Sequence, residues 1–291
     1  MIWLAVIVAA VLIAAFVTAE ILVHPWMAGN RRSEPFPADR DWPHEDVFAK
    51  AADGTVTRGW FIPHAESRGL TVVILHGIND NRTGMLGRAG MVRERLKANV
   101  CLMDLRAHGL SEGSACGYGL TERDDLAALV TVLSARKDVA PGRIVVMGVS
   151  LGGSVAMMSA AADPRIAAVV AESAYSTLSR AVTERSDRLG VPRGFMRLVR
   201  AFFERRAGWS WDEVDVRAAV AKSACPLLLI HGAEDDESDP GHSQNLYDSS
   251  AAKLKRLWIV PRADHFERNP FLTAPDEYAK RLAEFLAEAL P

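Results

Sequence analysis

The sequence predicts an α/β fold: a doubly wound, mostly parallel sheet entered by an antiparallel hairpin. Short apolar β-like runs alternate with helix-like runs from about residue 70 onward, the pattern of βαβ units whose strands are covered on both faces. Ahead of them, a pair of alternating segments flanks Asp53-Gly54, a turn dipeptide typical of hairpins. The length, 291 residues at 49% hydrophobic and 24% charged, suits one large α/β domain or two small ones.

Taken in order, residues 2–19, IWLAVIVAAVLIAAFVTA, carry no charge, and Ile21, Leu22 and Val23 extend them beyond Glu20. A membrane-crossing helix needs about 20 such residues, so residues 1–23 are expected to form a transmembrane anchor. Arg31, Arg32 and Arg40 follow it and no Lys or Arg precedes it, which places the folded domain on the cytoplasmic side. Two other readings compete. A cleaved signal would give an exported protein, but the basic n-region is missing; a buried core helix fits poorly at the head of a polar chain.

Residues 24–45 are rich in Pro, Arg and Asp and lack periodicity, so they read as a linker or arm, with the folded domain over residues 46–291. VFAKAADGTVTRGWFIP is the hairpin. Then come strand LTVVILHG, a helix over residues 82–97, strand NVCLMDLR, helix RDDLAALVTVLSAR, strand RIVVMGV and a helix over residues 151–162. Strands IAAVVAES, PLLLIHG and KRLWIVP follow, with a helix over residues 244–252 before the last of them and a closing helix, APDEYAKRLAEFLAEAL. The one long excursion, residues 175–224, is the expected cap over the ligand site. Within it Phe195, Leu198, Val199 and Phe202 recur at i, i+3, i+4 and i+7, the stripe of an amphipathic helix. That helix either packs its apolar face onto the domain or roofs an apolar acyl pocket with Phe195, Phe202 and Phe203, its Arg193, Arg197 and Arg200 facing lipid headgroups.

Composition excludes several classes. With 34 Lys+Arg against 36 Asp+Glu, the net charge of -2 offers no basic field for nucleic acid. Cys101, Cys116 and Cys225 are odd in number and contain no C-x-x-C, which argues against a disulfide framework or a zinc knuckle and for reduced thiols.

In a doubly wound sheet, ligands sit at the carboxyl ends of the parallel strands. Ser150 is at such an end, inside Gly148-Val149-Ser150-Leu151-Gly152. A G-x-S-x-G match arises by chance in roughly one chain in ten of this length, so alone it leaves Ser150 as either a nucleophile or a serine in an ordinary turn. As a nucleophile it would stand above the sheet at a helix start, where negative charge is favoured. A transition-state oxyanion then needs N–H donors, one from Leu151 and one from the loop after an earlier strand, here Ile78 in LHGIND. His76 precedes that loop at the end of a buried strand and reads as structural. Asp235, Asp236, Glu237 and Asp239 follow His231-Gly232, and a carboxylate among them could orient an imidazole. His265 follows the last strand. A serine, then an acid, then a histidine, each after a different strand, is far less probable by chance than the pentapeptide alone.

The motifs HGIND, DLRAHGLSEG, GVSLGG, AESAYS, HGAEDD and ADHFE together resemble the α/β-hydrolase superfamily from residue 47 onward. Within it, they look like the membrane-anchored BEM46-like or ABHD-like serine hydrolases. The resemblance implies an α/β-hydrolase fold with Ser150 as nucleophile, Asp235 as acid, His265 as base, and Ile78 with Leu151 as oxyanion donors. Asp236 is the alternative acid because the acidic loop before Pro240 is one residue longer than the family pattern, with Asp239 and Glu172 as further alternatives. Asp264 is too close in sequence to His265 to reach its ring. Ala107 stands where the family usually has Gly, which concerns a turn. The implied activity is cleavage of a carboxylic ester or thioester in a small-molecule or lipid-like substrate through an acyl-enzyme, with no metal or organic cofactor. An amidase or peptidase is one alternative and a non-catalytic membrane-tethered binding protein another, since the fold alone does not fix function; a broken triad or a lost elbow glycine would mark the second, and neither is seen.

Overall fold

Eight strands form one sheet in the computed structural model of the protein, which describes residue 3, residues 35–38 and residues 40–290. The expected anchor and most of the linker lie outside the described residues, among which no helix is long and apolar enough to cross a membrane. The hairpin strands β1 (Glu45–Lys50) and β2 (Val56–Ile62) turn at Asp53-Gly54, where Gly54 has φ +91 and Asp53 accepts the Thr55 N–H at 2.9 Å. β3 is Thr71–Leu75. A helical run then passes through α1 (Leu86–Met91) to β4 (Asn99–Met103). Next come α2 (Glu122–Ser134), β5 (Ile144–Val149), α3 (Leu151–Ala160) and β6 (Ile166–Glu172). Between β6 and β7 (Leu227–Gly232) lie α4 (Leu178–Arg188), α5 (Arg193–Ala207) and α6 (Val216–Val220). The chain closes with α7 (Gly241–Ser249), β8 (Lys255–Val260), α8 (Pro270–Thr273) and α9 (Pro275–Ala289).

The strand order is β1-β2-β4-β3-β5-β6-β7-β8, antiparallel from β1 to β4 and parallel thereafter. Alternation along each strand divides the core in two. Val73, Leu75 and Val146 face α2, α3 and the insertion, while Val72, Ile74 and Val145 face α1 and α9, where Tyr278 and Phe285 pack. Each such fully buried aliphatic side chain contributes about 1.5–3 kcal/mol. Both faces are therefore dry, which leaves the loops at the strand ends as the place for polar chemistry.

The single helix expected over residues 82–97 is a composite: a 3-10 turn over Arg82–Met85, then α1, then a π turn over Val92–Leu96. Gly84, Gly87 and Gly90 weaken a regular helix here, and the first two have a packing reason to lack a side chain. A Cβ at residue 84 would lie 2.3 Å from the Asp80 carboxylate, and one at residue 87 would lie 3.3 Å from the Phe271 ring.

Candidate active site

Ser150 occupies the junction of β5 and α3 with φ 53 and ψ -116, a conformation that L-residues rarely adopt. The neighbouring glycines make it feasible. A Cβ at residue 148 would meet the Gly152 carbonyl at 2.2 Å, and one at residue 152 would meet the Leu75 carbonyl at 2.5 Å. The Ser150 N–H is fixed to the Glu172 carbonyl at 2.7 Å, and its side chain makes no capping bond to its own helix. The hydroxyl is thus left at the helix start, where unpaired N–H groups favour negative charge.

The loop after β3 runs alongside. Gly77 would place a Cβ 3.4 Å from that of Ser150, and Ile78 and Leu151 both line the cavity above the serine. His76 turns inward. It is fully buried, its Nδ1 lies 2.7 Å from the Gly77 carbonyl, and its Nε2 accepts the Leu105 N–H at 3.0 Å. A carbonyl on one nitrogen and a donor on the other fix a neutral ring protonated at Nδ1. Burial holds it neutral, with its pKa lowered to about 4. It therefore ties β3 to the loop after β4, the structural role expected for it. In that second loop Ala107 takes φ 65, so the turn keeps the left-handed backbone that glycine usually supplies.

Asp235 and His265 meet. The Asp235 side chain is fully buried, and its Oδ2 lies 2.8 Å from His265 Nδ1 and 3.2 Å from His231 Nε2. Its Oδ1 accepts the N–H groups of Glu237 at 3.0 Å and Ser238 at 2.8 Å. Burial works against its charge, but the hydrogen bonds from His231 and His265 outweigh that cost and hold the carboxyl well below the usual range. Because a carboxylate only accepts, His265 carries its proton on Nδ1 and leaves Nε2 as a base. Gly232 allows the loops to cross: a Cβ there would lie 2.4 Å from the Ala263 carbonyl.

The alternative acids go elsewhere. Asp236 is exposed; Asp239 is exposed, accepts the Gly241 N–H at 2.7 Å and faces Arg180 at 3.6 Å. Glu172 is buried and pinned by Arg88, 2.6 and 3.1 Å from its two oxygens, and by the Tyr278 hydroxyl at 2.8 Å. Asp264 accepts the Phe266 and Arg268 N–H groups at 3.0 and 2.8 Å and so shapes the loop that carries His265. Sequence reasoning missed Arg88, Tyr278 and the role of His231. A buried carboxylate such as Glu172 demands a cation, but nothing in the spacing says which of 34 Lys+Arg supplies it.

Ser150 and His265 line one cavity of about 550 Å³. Its wall on the insertion side is made by α4, through Leu178, Ala181 and Val182, and not by α5. The amphipathic helix forms as expected, but its phenylalanines do not roof the site. Phe203, 3% exposed, packs edge-on against Trp209 and Trp211 at 5.1 and 5.8 Å and against Tyr118 at 6.3 Å. Tyr118 in turn lines the cavity, so α5 forms a second layer behind the wall. The packing reading of that helix holds.

A mostly parallel sheet carrying a serine on a strained strand-to-helix turn defines the class of α/β hydrolases. The Alpha/beta hydrolase family matches residues 72–281, and the chain belongs to it. It is similar to the alpha/beta hydrolase domain-containing protein WAV2 of Arabidopsis thaliana, at 27% identity over 98% of this chain and 92% of that protein. The uncharacterized protein YfhR of Escherichia coli K12 is 29% identical over 86% of this chain and 82% of its own length. Among solved structures, the esterase Pf2001 of Pyrococcus furiosus superposes with a TM-score of 0.75 at 24% identity, covering 90% of this chain and 98% of that one, a likeness of fold.

Proposed function

We propose that the protein is a serine esterase acting on carboxylic esters or thioesters. The observation that carries this reading is that His265, held by Asp235 at 2.8 Å, lines the same cavity as the strained Ser150. In the first step Ser150 Oγ attacks the acyl carbon while His265 Nε2 takes its proton, and Asp235 balances the imidazolium. The carbonyl oxygen becomes an oxyanion facing the Leu151 and Ile78 N–H groups. The bond to the leaving group then breaks, and His265 returns the proton to the departing oxygen or sulfur. Water, deprotonated by the same histidine, releases the acid and restores Ser150.

A fluorophosphonate probe tests this directly. Labelling at Ser150 that disappears in Ser150→Ala, together with turnover of a panel of p-nitrophenyl esters and acyl thioesters, is the expected result. Silence of the folded protein toward both would replace the enzyme with a binding scaffold. The uncharged run over residues 2–19 and the arginines behind it support an anchor with the hydrolase domain on the cytoplasmic side. Strong alkaline phosphatase activity from a C-terminal fusion, with weak green fluorescence, would reverse that topology.

A further inference from the structure

Beside Ser150 lies a buried ion pair that takes no part in the steps above. Glu172 ends β6 and Arg88 belongs to α1, and both are buried, as is Tyr278 of α9. Arg88 Nη2 and Nε donate to the two Glu172 oxygens at 2.6 and 3.1 Å, and the Tyr278 hydroxyl donates to Oε2 at 2.8 Å. Three donors from two other elements leave the carboxylate a single orientation.

Stability alone does not call for such a pair. The desolvation of two charges offsets much of their attraction, and apolar side chains of the same volume often serve as well or better. What the pair adds is direction, and its bonds run toward both ends of the proposed proton transfer. On one side, the Glu172 main-chain carbonyl accepts the Ser150 N–H at 2.7 Å. That bond falls on the strained residue itself, at φ 53 and ψ -116, a conformation that persists only where its surroundings over-determine it.

On the other side, Arg88 Nη2 also donates to Asn269 Oδ1 at 3.3 Å, and Asn269 Nδ2 donates at 2.8 Å to the carbonyl of Phe266, the residue after His265. A planar guanidinium serves both partners because its N–H groups are fixed in one fork. Arg88 therefore spans from the residue behind the serine to the loop that carries the histidine.

We infer that Arg88 is a positioning residue for acyl transfer, its guanidinium holding the Ser150 turn and the His265 loop at one separation through Glu172 and Asn269. This rests on the serine esterase reading above. Ser150 follows β5 and His265 follows β8, and proton transfer between them needs hydrogen-bond distance. A misplacement of about 1 Å costs on the order of a hundredfold in rate. Asp235 fixes how the imidazole is turned; Arg88 fixes how far it stands from the serine.

Turnover of a p-nitrophenyl ester and the rate of fluorophosphonate labelling at Ser150 test this on the full chain in detergent, at a temperature where each variant is folded by circular dichroism. Asn269→Ser leaves the ion pair alone and keeps a side-chain oxygen for the Leu272 N–H, which Asn269 accepts at 3.1 Å, but it is too short to join Arg88 to the Phe266 carbonyl. It should lower kcat and the labelling rate about tenfold, with KM within about twofold. Arg88→Lys keeps the charge opposite Glu172 and gives up the fork; it should lower both by a similar factor. Because the two act through one link, the double variant should fall no further than the worse single variant. Tyr278→Phe, which removes only a hydroxyl from the far side of Glu172, supplies the second cycle with Asn269→Ser where Arg88→Lys does not fold. Folded Asn269→Ser with kcat and labelling rate within about twofold of wild type, losses confined to KM, or losses that multiply in the double variant overturn the positioning role and leave the esterase intact. A wild-type protein that is neither labelled nor active overturns the two together.

Discussion

At the turn around Ser150 a single added methyl would strike backbone, 2.2 Å from the Gly152 carbonyl if placed at residue 148. Along α5, in the insertion, Gly194 has nothing within 4 Å of its would-be Cβ and Leu198 is 67% exposed. The turn is determined by main-chain geometry, which leaves no room for a side chain at Gly148 or Gly152; the insertion is determined by a few side chains that reach inward, chiefly Phe203. The difference separates two tasks. Chemistry depends on the rigid strand ends, and the shape of the pocket depends on a segment whose surface is free to vary.

The largest effect is expected at Ser150. Ser150→Ala should lower kcat on the best p-nitrophenyl ester by roughly 10⁴-fold or more with little change in thermal stability. Retention of a tenth of the activity would remove Ser150 from the chemistry. Asp235→Asn should cost on the order of 10³-fold, because the imidazole would lose both its charge partner and its orientation. Asp236→Asn, at the exposed neighbour, should cost less than about twofold, and similar losses from both would dissolve the assignment.

Acid should weaken the strand ends in particular. His76 and His108 are buried there with pKa values lowered to about 4 from 6.5, by burial in both cases. The unfolded chain binds their protons near pH 6.5 and the folded one only near 4, so stability is full above 6.5 and falls as pH drops through the interval. Urea unfolding at pH 7.5 and pH 5 should differ by about 2 kcal/mol for each histidine. A flat profile between those values would place the two rings in contact with water.

In the insertion, Phe203→Ala should cost about 3 kcal/mol of stability, as a large-to-small change among packed aromatics. It should change kcat/KM for short and long esters alike by less than about threefold. A selective loss on an eight-carbon ester would bring α5 back to the acyl pocket. Leu198→Ser, at the exposed face, should shift unfolding by no more than about 0.5 kcal/mol, and a larger effect would reveal a surface that is covered in solution.

The same contrast explains what could be read from sequence. The strands from β3 to β8 and the turn at Ser150 are local patterns: apolar runs of strand length, and glycines within two residues of the serine. Which carboxylate meets His265 is harder to read, because Asp235 and Asp236 are neighbours in an acidic loop. They are told apart only by fold, which buries Asp235 under His231 and His265 and leaves Asp236 in water. The composite helix over residues 82–97 reads as regular in the sequence because its glycines answer to distant contacts, the ring of Phe271 among them. The conspicuous stripe of phenylalanines on α5 leaves packing and roofing both open in the sequence. α4 lines the cavity, through Leu178, Ala181 and Val182, whose placement follows from how the insertion folds back on the sheet.

Glu172 links the Ser150 turn to the last helix. Its carbonyl fixes the Ser150 N–H at 2.7 Å, while its carboxylate is held by Arg88 and by the Tyr278 hydroxyl across 106 residues of chain. Burial raises the Tyr278 phenol well above its ordinary pKa, so it stays a donor throughout the working range. The consequence lies in the order of synthesis. The ribosome delivers the serine and its glycines long before His265 or Tyr278, and at about 5–20 residues per second that interval spans about 6 to 26 seconds. Until α9 arrives, Glu172 lacks its phenol partner and His265 has only just emerged. The turn at Ser150 is thus braced only after the rest of the sheet has been made, so a chain still on the ribosome holds Ser150 without the Glu172–Tyr278 contact behind it.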